Sequence, residues 1–178
     1  MIRVIPDTSF FICFLDDIRA SAHLLKIFGS DRFILVVGRV VHSEVKKSEN
    51  YHQIEHILIS AESYDYTQFG EILRPFMSVE EISKGEHEVI ATAYVLNFLG
   101  YDLIFILDDD DARNLVMKNL REIADKMTGT VGFVKLCCCE HEVFNKEEAK
   151  SILIMIKNSK FRVKKEIVEK TIEDIEVC

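Results

Sequence analysis

Tyr101–Arg113 reads YDLIFILDDDDAR. The apolar run from Leu103 ends in a carboxylate, Asp108, and Asp109, Asp110 and Asp111 follow without a break. An apolar run of this length between polar residues predicts a strand buried on both faces. Ala112 to Asn119 then has helical composition. A strand that feeds a helix in this way suits a parallel sheet, and open α/β sheets keep their ligand crevice at the carboxyl ends of their strands. Like charges this close repel, and a bound divalent cation would relieve them. A solvated acidic turn that caps the next helix accounts for the same four residues equally well.

The same grammar recurs on either side. Ile2 to Ile5 predicts a first strand that ends at Asp7, and Thr8-Ser9 leads into helical Phe10 to Leu15. Asp7 suits a helix N-cap, and a helix N-terminus also supports an anion or a metal-bound phosphate. A helix from Ala20 to Phe28 stops at Gly29. A second buried strand, Phe33 to Val37, passes through Gly38 into a helix, Val40 to Lys47, that carries Glu44. Ile54 to Ala61 is an amphipathic helix, Tyr64 to Phe69 a connection or an extra short element, and Ile72 to Met77 weakly helical, with Arg74-Pro75 against a long helix.

Gly85 to Gly100, GEHEVIATAYVLNFLG, is apolar almost all round and predicts a buried helix. Glu86 tops the stripe of Val89, Ile90 and Ala93, whereas Glu88 points about 200° further round. A helix between two parallel strands runs antiparallel to them, so Glu86 is expected at the sheet edge that holds Asp7 and Asp108. The helix that carries Glu44 is expected to start from the same edge. Lys126 to Thr130 predicts a last short strand, followed by the tight turn Gly129-Thr130-Val131-Gly132 and a helical stretch, Phe133 to Cys139. Two amphipathic helices, Glu147 to Ile156 and Val163 to Val177, close the chain.

The expected architecture is α/β: a three-layer α/β/α, doubly wound, mostly parallel sheet with C-terminal helices. One domain is expected over residues 1–178, with the sheet core and acidic site in 1–135 and the helices in 136–178.

Composition narrows the classes. The 178 residues are 48% hydrophobic and 29% charged, enough for a sizeable core and a soluble surface. A net charge of −8 argues against a protein that grips nucleic acid mainly through its phosphates. It is compatible with an enzyme whose acids cluster around metal ions, which reverse the local sign. No apolar run is long enough for a bilayer and no secretory leader opens the chain, so a cytoplasmic protein with no membrane contact is expected. The five cysteines, Cys13, Cys137, Cys138, Cys139 and Cys178, form neither a disulfide framework nor a zinc spacing. They are expected as reduced core residues.

Carboxylates without neighbouring Cys or His are hard ligands, suited to Mg²⁺ or Mn²⁺. Such ions activate water and stabilise in-line displacement at phosphorus, which makes a nuclease the natural reaction class. Asp108-Asp109-Asp110 also matches the D-x-D of haloacid-dehalogenase-like phosphotransferases, but there the motif follows the first strand, where this chain has Asp7-Thr8-Ser9.

Taken in order, Asp7-Thr8-Ser9, Glu44 in VVHSEV, Gly85-Glu86-His87-Glu88-Val89-Ile90-Ala91, Asp108-Asp109 with Ala112-Arg113, the Gly129–Gly132 turn and KEEAKSILIMIKNSKFRV resemble the PIN domain, and within it the VapC-like group. The resemblance spans nearly the whole chain. It implies a Mg²⁺- or Mn²⁺-dependent ribonuclease, often dimeric and often the toxin of a toxin–antitoxin pair. Partners would then be RNA, an antitoxin protein and a second copy. By the same resemblance Asp7, Glu44, Glu86 and Asp108 hold the metal, Asp109 assists, and Ser9 is a supporting hydroxyl. Asp110 and Asp111 are expected as helix-capping surface acids. Arg113 is a candidate contact to substrate phosphate. The chain departs from the family in having Glu86 where Asp is more usual, and Ile106-Leu107 where a Thr is often found. The alternative function is a catalytically degenerate PIN fold that acts as an interaction module.

Overall fold

A computed structural model describes residues 1–64 and 84–178. The predicted connection beyond Tyr64 and the weak helix Ile72–Met77 lie outside the described residues. The sheet contains β1 (Ile2–Pro6), β2 (Phe33–Leu35), β3 (Leu103–Ile106) and β4 (Met127–Thr128). Its order is β2-β1-β3-β4 and every pairing is parallel. Each pair therefore needs a crossover, and helices fill those crossovers.

In chain order they are α1 (Thr8–Ile12), α2 (Ser21–Phe28), α3 (Arg39–Val45), α4 (Glu55–Ser60), α5 (Lys84–Phe98), α6 (Asp110–Asn119), α7 (Arg121–Ala124), α8 (Thr130–Cys139), α9 (Lys146–Lys157) and α10 (Lys165–Val177). α1, α3 and α5 pack together, as do α8, α9 and α10. With the sheet they make a three-layer α/β/α fold. The segment Cys13–Asp17 continues α1 as a wider π-helical turn.

The strand order reverses direction between β1 and β3, so the crevice of a doubly wound sheet opens there. The register pairs Arg3 with Leu103 and Pro6 with Ile106. Asp7 follows directly, and its N–H donates to the Ile106 carbonyl at 3.1 Å. The apolar runs on either side explain this placement. Val4, Ile5, Phe105, Ile106 and Leu107 are buried, so each strand delivers its acid at the end of a buried apolar run.

An aromatic cluster anchors this end of the core. Phe10, three residues after Asp7, lies 5.5 Å from Phe11, 5.2 Å from Phe14 and 5.8 Å from Phe133, centre to centre. Edge and tilted packing at these separations adds to the area the rings bury. It holds the start of α1 against α8, which carries Phe133.

The cysteines divide. Cys13, Cys137 and Cys138 are free and buried, as the composition predicts. Cys139 and Cys178 instead form a disulfide, with Cα atoms 5.7 Å apart. The pairing was invisible in the spacing because α10 packs along α8 and returns Cys178 to the end of α8, 39 residues on in sequence. Among the described residues, no helix is long and apolar enough to cross a membrane.

Candidate active site

Asp7 stands at the junction of β1 and α1 and is 1% exposed. It caps α1, accepting the Phe10 N–H at 2.9 Å. Its other carboxylate oxygen accepts the Asp108 N–H at 3.4 Å, a long contact across the β1/β3 switch point. Burial is the largest influence on Asp7, followed by the Asp108 carboxylate. Together they push its pKa up to about 8, against the pull of the two N–H groups, with Glu86 adding to the rise.

Asp108 is half-buried and held from the other side. Its carboxylate accepts the Thr130 N–H at 2.8 Å and the Thr130 hydroxyl at 2.5 Å. The first amide of α8 thus finds its acceptor across the sheet, where helix N-termini favour negative charge. Burial raises the Asp108 pKa, while Thr130 and then the Arg113 guanidinium work against the rise. Arg113 donates to the Leu107 carbonyl at 2.9 Å, which commits one edge of the guanidinium beside Asp108.

Glu86, in the first turn of α5, lines an open cleft of ≈ 510 Å³ together with Asp108, Asp109, Asp110 and Ser9. Glu44 lies behind this cleft, half-buried, and accepts the Thr8 hydroxyl. It can approach because Gly85 has no side chain: a Cβ there would meet a Glu44 carboxylate oxygen at 2.7 Å. Thr8 and Thr130 are therefore the hydroxyls that hold site acids. Ser9 is exposed and lines the cleft.

Two assignments within the acidic motifs are resolved by the structure. Asp109, in extended backbone, caps α6, accepting the Asp111 and Ala112 N–H groups at 2.9 Å. The capping expected of Asp110 and Asp111 falls to Asp109 because α6 starts at Asp110. Glu88, turned away from the cleft, accepts the Val40 and Val41 N–H groups at 3.0 Å and so caps α3. That contact needs Gly38, where a Cβ would fall 2.0 Å from the Glu88 carboxyl carbon.

The donor set around the cleft is oxygen only, as a hard divalent cation requires. Among the described residues, however, no three carboxylates bring oxygens within 4.8 Å of one another. Each acid is turned onto its own donor: Asp7 onto Phe10, Glu44 onto Thr8, Asp108 onto Thr130. Mutual repulsion between buried carboxylates favours that spread, and a bound cation would oppose it.

Across residues 3–176 the sequence matches the DUF3368 family, which is described as a PIN domain. This chain belongs to the PIN-domain family. Neither the curated proteins nor the solved structures contain a match to it. PIN domains are in general nucleases that use divalent metals, so the fold is a nuclease fold, and Glu86, Asp108 and Asp109 of this PIN domain line the cleft where its doubly wound sheet opens.

Proposed function

We propose that this PIN domain is a Mg²⁺- or Mn²⁺-dependent ribonuclease of the VapC-like group, a toxin whose antitoxin would cover the cleft. One observation carries the reading. Asp7, Asp108 and Glu86 come from three separate segments, and the charge of each of the other two raises the pKa of Asp7. Perturbed carboxyls gathered at a sheet switch point are a mark of a working site.

Asp7, Glu86 and Asp108 would hold the ion, with Glu44 behind them and Asp109 at the rim. When bound, it supplies activation of the attacking water and stabilisation of charge growing on the phosphate. The rest is done by the chain. The Phe10 N–H and Thr130 orient the Asp7 and Asp108 carboxylates. Thr8 fixes Glu44. Arg113 offsets part of the negative charge at Asp108.

Labelled single-stranded RNA incubated with the protein and Mn²⁺ or Mg²⁺ should be cleaved. Asp7→Asn and Asp108→Asn should each slow cleavage at least ~100-fold, as loss of a group acting in the transition state does. Full activity in either variant would sink the assignment.

The departures from the family at Glu86 and at Ile106-Leu107 support a second reading, in which the fold is a degenerate PIN domain and acts as an interaction module. Thermal melts separate the two. A cation that binds the folded state raises Tm by mass action, and an interaction module without a metal site shows no such rise.

A further inference from the structure

The acidic cleft has a basic wall that the nuclease reading does not use. Between α9 and α10 the chain runs Lys160-Phe161-Arg162-Val163-Lys164. Phe161 and Val163 are half-buried and pack on the core, while Lys160, Arg162 and Lys164 are exposed. The Val163 N–H donates to the Phe161 carbonyl at 3.0 Å, a three-residue turn with Arg162 at its apex. The apolar pair thus fixes the segment and leaves its cations outward.

Those cations face the acids. Lys160 and Arg162 line the cleft that holds Glu86 and Asp108. Arg162 and Lys164 line a second cleft of ≈ 500 Å³ that shares Asp108 and Asp110 with the first. In the first cleft acids outnumber bases. In the second, Arg113, Arg162 and Lys164 face Asp108 and Asp110 alone. None of Lys160, Arg162 and Lys164 forms an ion pair within 4 Å among the described residues. Lys160 acts on Asp17, which lines the first cleft with it, so the charge most open to a ligand is that of Arg162 and Lys164, whereas one edge of Arg113 is committed to Leu107.

We infer that the Lys160–Lys164 segment is the phosphate-binding wall of the site, with Arg162 as the positioning residue that lays a single-stranded nucleic-acid backbone across Asp108. This rests on the nuclease reading for the reaction and goes beyond it in naming the residues that hold the substrate. A chain of net charge −8 cannot attract a polyanion as a whole, so binding must come from a local basic face. Phosphate contacts of this kind set register and orientation and carry no sequence information.

The test measures binding and cleavage separately. Fluorescence anisotropy with a labelled single-stranded RNA, and with DNA of the same sequence, is run on the Asp7→Asn protein in EDTA across a salt series. Adding Arg162→Ala should weaken binding roughly tenfold, the worth of one charged hydrogen bond. The slope of log K against log salt should fall by about 0.7 for each lost phosphate contact on a single strand. Lys160→Ala should act in the same direction, and Arg162→Lys should restore most of the slope. In the otherwise wild-type protein Arg162→Ala should raise KM with kcat nearly held, since the contact is made before and during reaction alike.

If wild type cleaves RNA but Arg162→Ala leaves KM and the salt slope unchanged, the wall is wrong and the nuclease reading stands. If binding depends on Arg162 and wild type does not cleave with either metal, the wall stands and the nuclease reading falls. A change in melting temperature alone, with no change in binding, would show that these cations only balance the acids and would overturn the inference.

Discussion

At the scale of single residues, Asp7 carries a tension that can be measured without substrate. Its carboxyl ionises near 3.8 in an unfolded chain and near 8 in the fold. Below the lower value both states hold the proton, and burial of Asp7 costs nothing through titration. Between the two the unfolded chain releases a proton that the folded chain keeps, so stability falls as pH rises. Asp7→Asn removes that penalty. In EDTA the variant should melt above wild type at pH 8 and show no such gain at pH 4, by about 2–4 °C for each kcal/mol relieved. A difference independent of pH would show that Asp7 does not hold its proton into this range. Thr130 acts on the partner acid. Thr130→Val removes a bond that lowers the Asp108 pKa, so the acid limb of the cleavage profile should move to higher pH, with about 1–3 kcal/mol of stability lost. An unmoved acid limb would mean that Asp108 does not govern it.

At the scale of elements, α5 presents two neighbouring glutamates to two different tasks. Glu86 faces the cleft, and Glu88 caps α3 across 48 residues of sequence. Glu88→Ala should therefore behave as a lost helix cap, costing about 1–2 kcal/mol. It should lower the urea midpoint while cleavage by the remaining folded protein persists. Glu86→Gln should do the reverse, losing cleavage at least ~10-fold with the urea midpoint nearly held. Exchanged outcomes would reassign the two residues. Periodicity made part of this legible. The angle around α5 separated Glu86 from Glu88, and the strand–helix order brought Asp7, Glu86 and Asp108 to one edge. Hydrogen bonds between distant segments left no such trace. Nothing local marks Thr130 as the partner of Asp108 or Thr8 as the partner of Glu44, because each depends on where another element ends.

At the scale of the whole molecule, the parallel sheet and its crossovers follow from apolar runs that alternate with helical stretches. Those signals are continuous and redundant, which is why the architecture was readable. The C-terminal helices were readable as helices and unreadable as a docked layer, since amphipathic spacing shows that a face is buried and not against what. The disulfide is the sharpest case. It fastens α10, which follows directly on the basic wall, to α8, whose first residue holds Asp108. Cross-links stabilise largely by restricting the unfolded chain, and a loop of this span is worth at most about 4 kcal/mol in the chain-entropy account. Cys178→Ser should thus lower Tm by roughly 10 °C, and a reductant should lower wild type to the same value while leaving the variant unmoved. Because Asp7 and the β1/β3 edge do not depend on α10, the Mn²⁺-induced rise in Tm should survive in Cys178→Ser. The decisive outcome is a variant as stable as wild type: the bond would then contribute nothing to the fold, and noncovalent packing of α10 on α8 and α9 would hold the basic wall in place.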